Sequence, residues 1–445
     1  MAAIALIVIS IAIIIALSSY LKVHPFLSLI IAAIFFGLVS GMPAGDVINA
    51  LNEGFGSTIG KVGIIIVAGI IIGTFLENTG GAQTLANKVL AISGKKKVHT
   101  AMAFVGYMVS VPVFADSGFI ILSSLNKMLT KKAGLSLAGT AAALALGLTA
   151  THTMVPPTPG PVAAAGILGA DIGLVIFTGV ATSIFALIIV IFYARYIGKK
   201  IYIDPAQQMD EPQLHIVDEY RPSAFKSFLP IVVPILLIVL KTVAEFSALP
   251  FGNGWIQGII IFTGNPVMAL LIGVVLALFL PKKLDKEMLS ASGWTGKAIK
   301  NAAAVIIITG AGGAFGNVLQ NAGLATLFSG MNEFYTGIWL PFLIAAAIKT
   351  AQGSSTVALI TAASLTAPML DSIAPDEFSK AIVVVAIGAG SAVVSHANDS
   401  FFWIVTQFSH MDIKQGYRVH TLGTAIMGIS SMLFLTLIHF LYITL

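Results

Sequence analysis

The chain has 445 residues, 57% of them hydrophobic and only 10% charged, with a mean hydropathy of +0.97; a soluble domain carries about 25% charged residues, so this is an integral membrane protein. Its formal charge of +5 and pI near 9.2 do not indicate nucleic acid, because the basic residues are scattered over short loops without interleaved aromatics and follow from membrane orientation. The absence of cysteine excludes disulfides, thiolate metal sites and cysteine nucleophiles.

The first apolar run, Ala2 to Tyr20, has no basic residue before it and no cleavage-like site, so it is expected to be a retained span rather than a signal peptide. Straight spans are expected at about 3–20, 26–42, 62–77, 172–194, 227–245, 256–280, 301–319 and 420–443. Between Lys95-Lys96-Lys97 and Lys127, Lys131 and Lys132 the chain is apolar but too short for two crossings. Both basic ends belong on the cytoplasmic side. Segment 98–126 is therefore expected to be a re-entrant hairpin whose tip is near Pro112 to Gly118. Residues 134–170 should form a helix broken around His152, and 201–226 a polar cytoplasmic linker. A second hairpin is expected over 337–370, with its tip at Thr350 to Thr356, and a second broken helix over 378–407.

The two parts echo each other at an offset of 243 residues, which carries Glu77-Asn78-Thr79-Gly80 onto Gln320-Asn321-Ala322-Gly323. The same offset takes Gly69, Gly73 and Gly147 onto Gly312, Gly316 and Gly390. Lysine placement makes span 62–77 run inward and 301–319 outward. The expected fold is thus an all-α polytopic membrane protein, an inverted repeat of two five-helix halves, 1–200 and 227–445, with both termini outside the cytoplasm. Paired interruptions of apolar segments point to the binding site of a secondary transporter.

Ionisable residues at membrane depth cost at least about 2.5–3.5 kcal/mol each, so they mark function. Here they are Asp116, His152, Lys349, His396 and Asp399, all at a tip or a break. The start of each half-helix offers free N–H groups and a positive dipole end to an anion. Gly118, Gly160 and Gly353 are small enough to let a solute approach backbone. Hydroxyls of Ser117, Thr151, Thr153, Thr158, Ser354, Ser355, Thr356 and Ser395 suit a polyol or hydroxy acid, or bond back to a carbonyl one turn earlier. Lys349 either pairs with a substrate carboxylate or snorkels to the surface. Proton coupling is expected through Asp116, with Asp399 second and His152 third; Asp399 and Asn398 with hairpin carbonyls would instead hold sodium. His410 and His420 sit among loop charges, and no histidine spacing suggests a metal centre. No cofactor is implied: the chain lacks a Walker motif, and Gly312 to Gly316 indicates close helix packing. With no nucleophile–base constellation, an intramembrane enzyme is not expected.

At these residues the chain resembles the gluconate permease (GntP-type) family of gluconate:proton symporters. The motifs are Pro112-Val113-Phe114-Ala115-Asp116-Ser117-Gly118-Phe119, His152 to Ala165 with its Pro-Pro-x-Pro-Gly-Pro core, Ala351-Gln352-Gly353-Ser354-Ser355-Thr356-Val357-Ala358, and Ser395-His396-Ala397-Asn398-Asp399-Ser400. The resemblance implies an elevator transporter of the ion-transporter superfamily, often a homodimer, in the bacterial inner membrane and surrounded by lipid. It implies import of a small organic acid such as gluconate with protons. Glycerate, D-serine, another sugar acid, sodium coupling and a channel are the alternatives. The expected substrate-binding set is Asp116, Ser117, Gly118, His152, Thr153, Lys349, Gly353, Ser354, Ser355, Thr356, His396 and Asn398.

Overall fold

The computed structural model describes residues 2–93, 97–205, 221–245, 251, 254–323 and 337–444. These are helical, with no strand among them. The longer helices are α1 Ala2–Ile15, α2 Pro25–Val39, α3 Ala44–Asn78, α4 Gly81–Ser93, α5 Val98–Val109, α6 Ala115–Lys132, α7 Leu137–Met154, α8 Pro159–Leu168 and α9 Ile172–Lys200. They continue with α10 Ala224–Ala244, α11 Trp255–Gly264, α12 Pro266–Ala277, α13 Trp294–Asn321, α14 Trp339–Gln352, α15 Ser355–Thr366, α16 Glu377–Ala392, α17 Ser400–Phe408 and α18 Leu422–Thr444. Six helical stretches are long and apolar enough to cross a membrane, and up to seven if the bent pair α11 and α12 is one span.

Local chemistry explains the boundaries. Asp171 caps α9 by accepting from the Leu174 N–H at 2.8 Å, and Ser136 caps α7 from Ala138. Proline opens α2, α8 and α12, where its missing N–H costs nothing. The centre is made of α7 and α16. Every residue from Leu137 to Thr151 and from Ala381 to Ala392 is buried, as befits helices enclosed all round. Their small residues admit neighbouring backbone: a Cβ on Gly147 would strike the Ala103 carbonyl, and one on Gly390 the Phe342 carbonyl. Outside, Phe177, Ile188 and Phe192 of α9 and Leu433 and Leu437 of α18 are exposed, an apolar surface suited to lipid.

Two expected spans change. The span at 62–77 is the second half of the 35-residue α3. Its first half escaped a hydropathy reading, because Val47, Ala50, Gly54 and Thr58 form one buried stripe while Asn49, Asn52, Glu53 and Ser57 lie among the positions between them. That stripe faces α13: Gly54 packs on the Gly313 carbonyl, and Asn317 Nδ2 donates to Ala50 O at 2.9 Å. The straight span at 256–280 is instead bent by 70° between α11 and α12. Pro266 cannot donate to the preceding turn, and Asn265 starts α12 by accepting from Val267 at 3.0 Å. Of the linker expected at 201–226, residues 206–220 lie outside the described residues.

Candidate functional site

Four interruptions bring the chemistry together. Helices α5 and α6 part at Ser110–Phe114, α7 and α8 at Val155–Thr158, α14 and α15 at Gly353–Ser354, and α16 and α17 at Val393–Asp399. Between them lies a cavity of about 660 Å³. Its wall includes Asp116 and Ser117 from the first turn of α6, His152 from α7, and Lys349, Gly353, Ser354, Ser355 and Thr356 from the α14–α15 junction. Asn398 and Asp399 complete the expected members. No side chain caps α6, and its first turn, Ala115 to Ser117, lines the cavity. Ser354 Oγ accepts from Val357 N at 3.3 Å and caps α15.

Three expected members are placed elsewhere. Thr153 is fully buried and its hydroxyl donates to Thr149 O at 3.0 Å, the back-bonded alternative. Gly118 packs under the Leu148 side chain, 2.7 Å from where its Cβ would stand. His396 is outside the cavity wall and binds Thr350 O at 2.8 Å through Nε2. The break after His152 also contributes less than expected. Prolines 159 and 161 carry no N–H, Gly160 packs against Leu359, and Pro157 to Pro159 border a separate space of about 10 Å³. His152 lines both spaces, and its Nδ1 has no hydrogen-bond partner among the described residues.

Lys349 does not snorkel. It is 2% exposed; its Nζ donates to Asp399 Oδ2 at 2.6 Å and to the Gly353 carbonyl, leaving one of three donors. Gly353 is required by its φ of +84° and by the Asn398 carbonyl against it. Asn398 Nδ2 in turn donates to Thr350 O at 2.8 Å and Ala351 O at 3.1 Å, satisfying carbonyls at the end of α14. The residues around Val393–Asp399 are therefore sewn to the second tip by donors at the negative end of a helix.

Asp399 is 6% exposed and fully engaged. Its Oδ1 accepts from the Phe401 N–H at 3.0 Å, and its Oδ2 takes the Ser395 hydroxyl at 2.5 Å besides Lys349. Asp116 differs. It has no ion-pair partner among the described residues, and Ser400 Oγ donates to its Oδ2 at 3.3 Å. The other ionisable residues of the wall are His152 and Lys300. With histidine neutral, Lys300 and Lys349 balance Asp116 and Asp399.

Several wall residues were not anticipated: Thr149, Lys300, Asn301, Gln352 and Ser400. Gln352 and Ser400 stand inside motifs quoted for the resemblance, whereas Lys300 and Asn301 carry only the look of an ordinary basic loop end. His420 is a correction. It is fully buried, not among loop charges, and its Nε2 is 3.0 Å from Ser395 Oγ. It belongs to a π-helical turn, Tyr417–Thr421, that periodicity does not reveal.

Residues 2–441 match the GntP family permease model. The chain belongs to the GntP permease family. It is 33% identical over 427 residues to a gluconate permease of Pseudomonas aeruginosa, covering 94% of this chain and 93% of that one. It is 31% identical over 416 residues to the D-serine transporter DsdX of Escherichia coli, with 92% of each covered. Among solved structures, the YdaH transporter of Alcanivorax borkumensis superimposes with a TM-score of 0.63 at 15% identity, over 93% of this chain and 97% of that one. That likeness concerns the fold. The chain is a multi-pass membrane transporter, and its relatives are permeases and transporters rather than enzymes.

Proposed function

We propose that this protein imports a small hydroxylated monocarboxylate, gluconate being the leading candidate, together with one proton. The observation that carries the reading is the charge balance of the cavity, two lysines against two aspartates, with Asp116 the carboxylate that has no ion-pair partner among the described residues. A monoanion entering a balanced site leaves one uncompensated negative charge, which is costly away from bulk water. Protonation of Asp116 removes it. The remaining donor of Lys349, the first-turn N–H groups of α6 and the hydroxyls of Ser354, Ser355 and Thr356 are suited to the carboxylate and hydroxyls of such a solute. A zwitterion such as D-serine is the second reading, favoured by the same balance, because it adds no net charge. Sodium held by Asp399 is less favoured, since both oxygens of that carboxylate already accept hydrogen bonds.

We further infer an inverted repeat with two re-entrant hairpins, α5–α6 and α14–α15, and an elevator-like motion. Supporting this, Gly147 and Gly390, related by the repeat offset, do the same work: each presses on a backbone carbonyl of the preceding hairpin's first helix. Gly73 of α3 abuts the Pro112 carbonyl and Gly316 of α13 lies against Ser364, so paired glycines in both long helices face the hairpin units. The deciding experiment is uptake by the purified protein in liposomes. A pH gradient should drive accumulation of gluconate and a sodium gradient should not; the reverse result rejects proton coupling. Uptake of D-serine but not gluconate selects the second reading.

A further inference from the structure

We propose that His420 is a positioning residue for Asp399, acting through Ser395, and so governs how the Lys349 amine is presented to the solute. This rests on the reading of the cavity as a solute site and identifies what regulates its cation.

Every polar group of Ser395 is held by the segment 420–424. Its N–H donates to Thr424 Oγ1 at 3.2 Å, its carbonyl accepts from Thr421 Oγ1 at 2.5 Å, and its hydroxyl oxygen meets His420 Nε2 at 3.0 Å. The Ser395 hydroxyl proton is committed to Asp399 Oδ2, so its oxygen is the acceptor and His420 Nε2–H the donor. The chain of donors then runs from His420 to Ser395 to Asp399, with Lys349 donating to that same Oδ2. A fully buried imidazole is an expensive way to fill space. Its Nδ1 has no hydrogen-bond partner among the described residues, and the rings of Phe401 and Phe402 stand beside it, so an apolar side chain would pack there at less cost. What a leucine or phenylalanine lacks is the N–H. Without it the Ser395 hydroxyl is free to turn from Asp399, the carboxylate loses a donor, and Lys349 is no longer pinned between Asp399 and Gly353. His420 lies outside the cavity wall and touches no solute, so its effect is indirect.

The test uses the purified full-length chain without substrate and reads acylation of Lys349 by an amine reagent through peptide mass spectrometry. Wild type and His420→Gln, which keeps an N–H donor at similar reach, should be protected alike. His420→Leu and Ser395→Ala should label Lys349 about tenfold faster or more, the scale of losing a hydrogen bond to a charged group. The double variant should label no faster than either single one, because both cut one chain. In liposomes, His420→Leu should raise KM for gluconate by a similar factor with kcat little changed, and His420→Gln should restore it. Protection of Lys349 in Ser395→Ala, which leaves ring packing untouched and serves even if His420→Leu does not fold, overturns the proposal. So do multiplicative effects in the double variant. If wild type takes up neither gluconate nor D-serine, the solute reading fails, while the labelling still decides the relay.

Discussion

At the residue scale, burial and pairing separate two carboxylates that look equivalent in sequence. Asp399 is locked by Lys349, Ser395 and the Phe401 N–H, whereas Asp116 meets one serine at the end of an uncapped helix. Asp116→Asn should therefore abolish accumulation driven by a pH gradient while preserving counterflow of preloaded solute, measured in the same liposomes. Uphill uptake at wild-type level would remove Asp116 from the coupling role. The Lys349–Asp399 pair makes a different prediction. Removing one partner of a buried pair leaves a bare charge and costs about 3–5 kcal/mol. Lys349→Met should lower thermal stability much more than the double variant Lys349→Met/Asp399→Leu, and equal losses would show that the charges are not coupled. The motifs around 112–119, 351–358 and 395–400 made most of the wall legible, because an aspartate, lysine or histidine inside an apolar run is conspicuous. His420 was illegible for the opposite reason: it follows Lys414 and Arg418 and looks solvated, and only the tertiary fold tucks it beneath Ser395.

At the element scale, helix ends do the positioning; proline or glycine announces three of the breaks, and the polar run Ser395-His396-Ala397-Asn398-Asp399 announces the fourth. The amphipathic first half of α3 and the bend at Asn265 could not be read, since both depend on which face a neighbour covers. Helix α16, which carries the second break at its end, is anchored at its start by Asp376. Partial burial works against the ionised form there, but the Ser379 N–H at 2.9 Å, the Ser379 hydroxyl at 2.7 Å and the Tyr442 hydroxyl at 3.2 Å outweigh it and hold the carboxyl below its usual range. A lowered folded-state pKa gives stability that is fully present above the unfolded value, about 3.9, and is lost as pH falls through the folded one. Asp376→Ala should cost about 1 kcal/mol at neutral pH. The difference in melting temperature between the variant and wild type should shrink on acidification below pH 4; a difference independent of pH would assign the cost to packing.

At the scale of the whole molecule, the proposed repeat rests on paired glycines, and its sidedness on lysines alone. Cysteines placed at Lys97 and Lys131, either side of α5–α6, should both react with an impermeant thiol reagent from the cytoplasmic face only. Reaction from opposite faces would turn the hairpin into a crossing. The cancelling charges of the cavity also decide what the membrane voltage can do. A potential of 100 mV acts with roughly 2.3 kcal/mol on one elementary charge, yet an anion travelling with one proton presents none. Such a carrier is electroneutral, blind to the voltage that drives much of a cell's uptake, and its accumulation ratio follows the pH difference alone at about tenfold per unit. A zwitterion crossing without a proton would be blind to both gradients and would merely equilibrate, so the charge of the cargo determines whether this protein pumps or leaks.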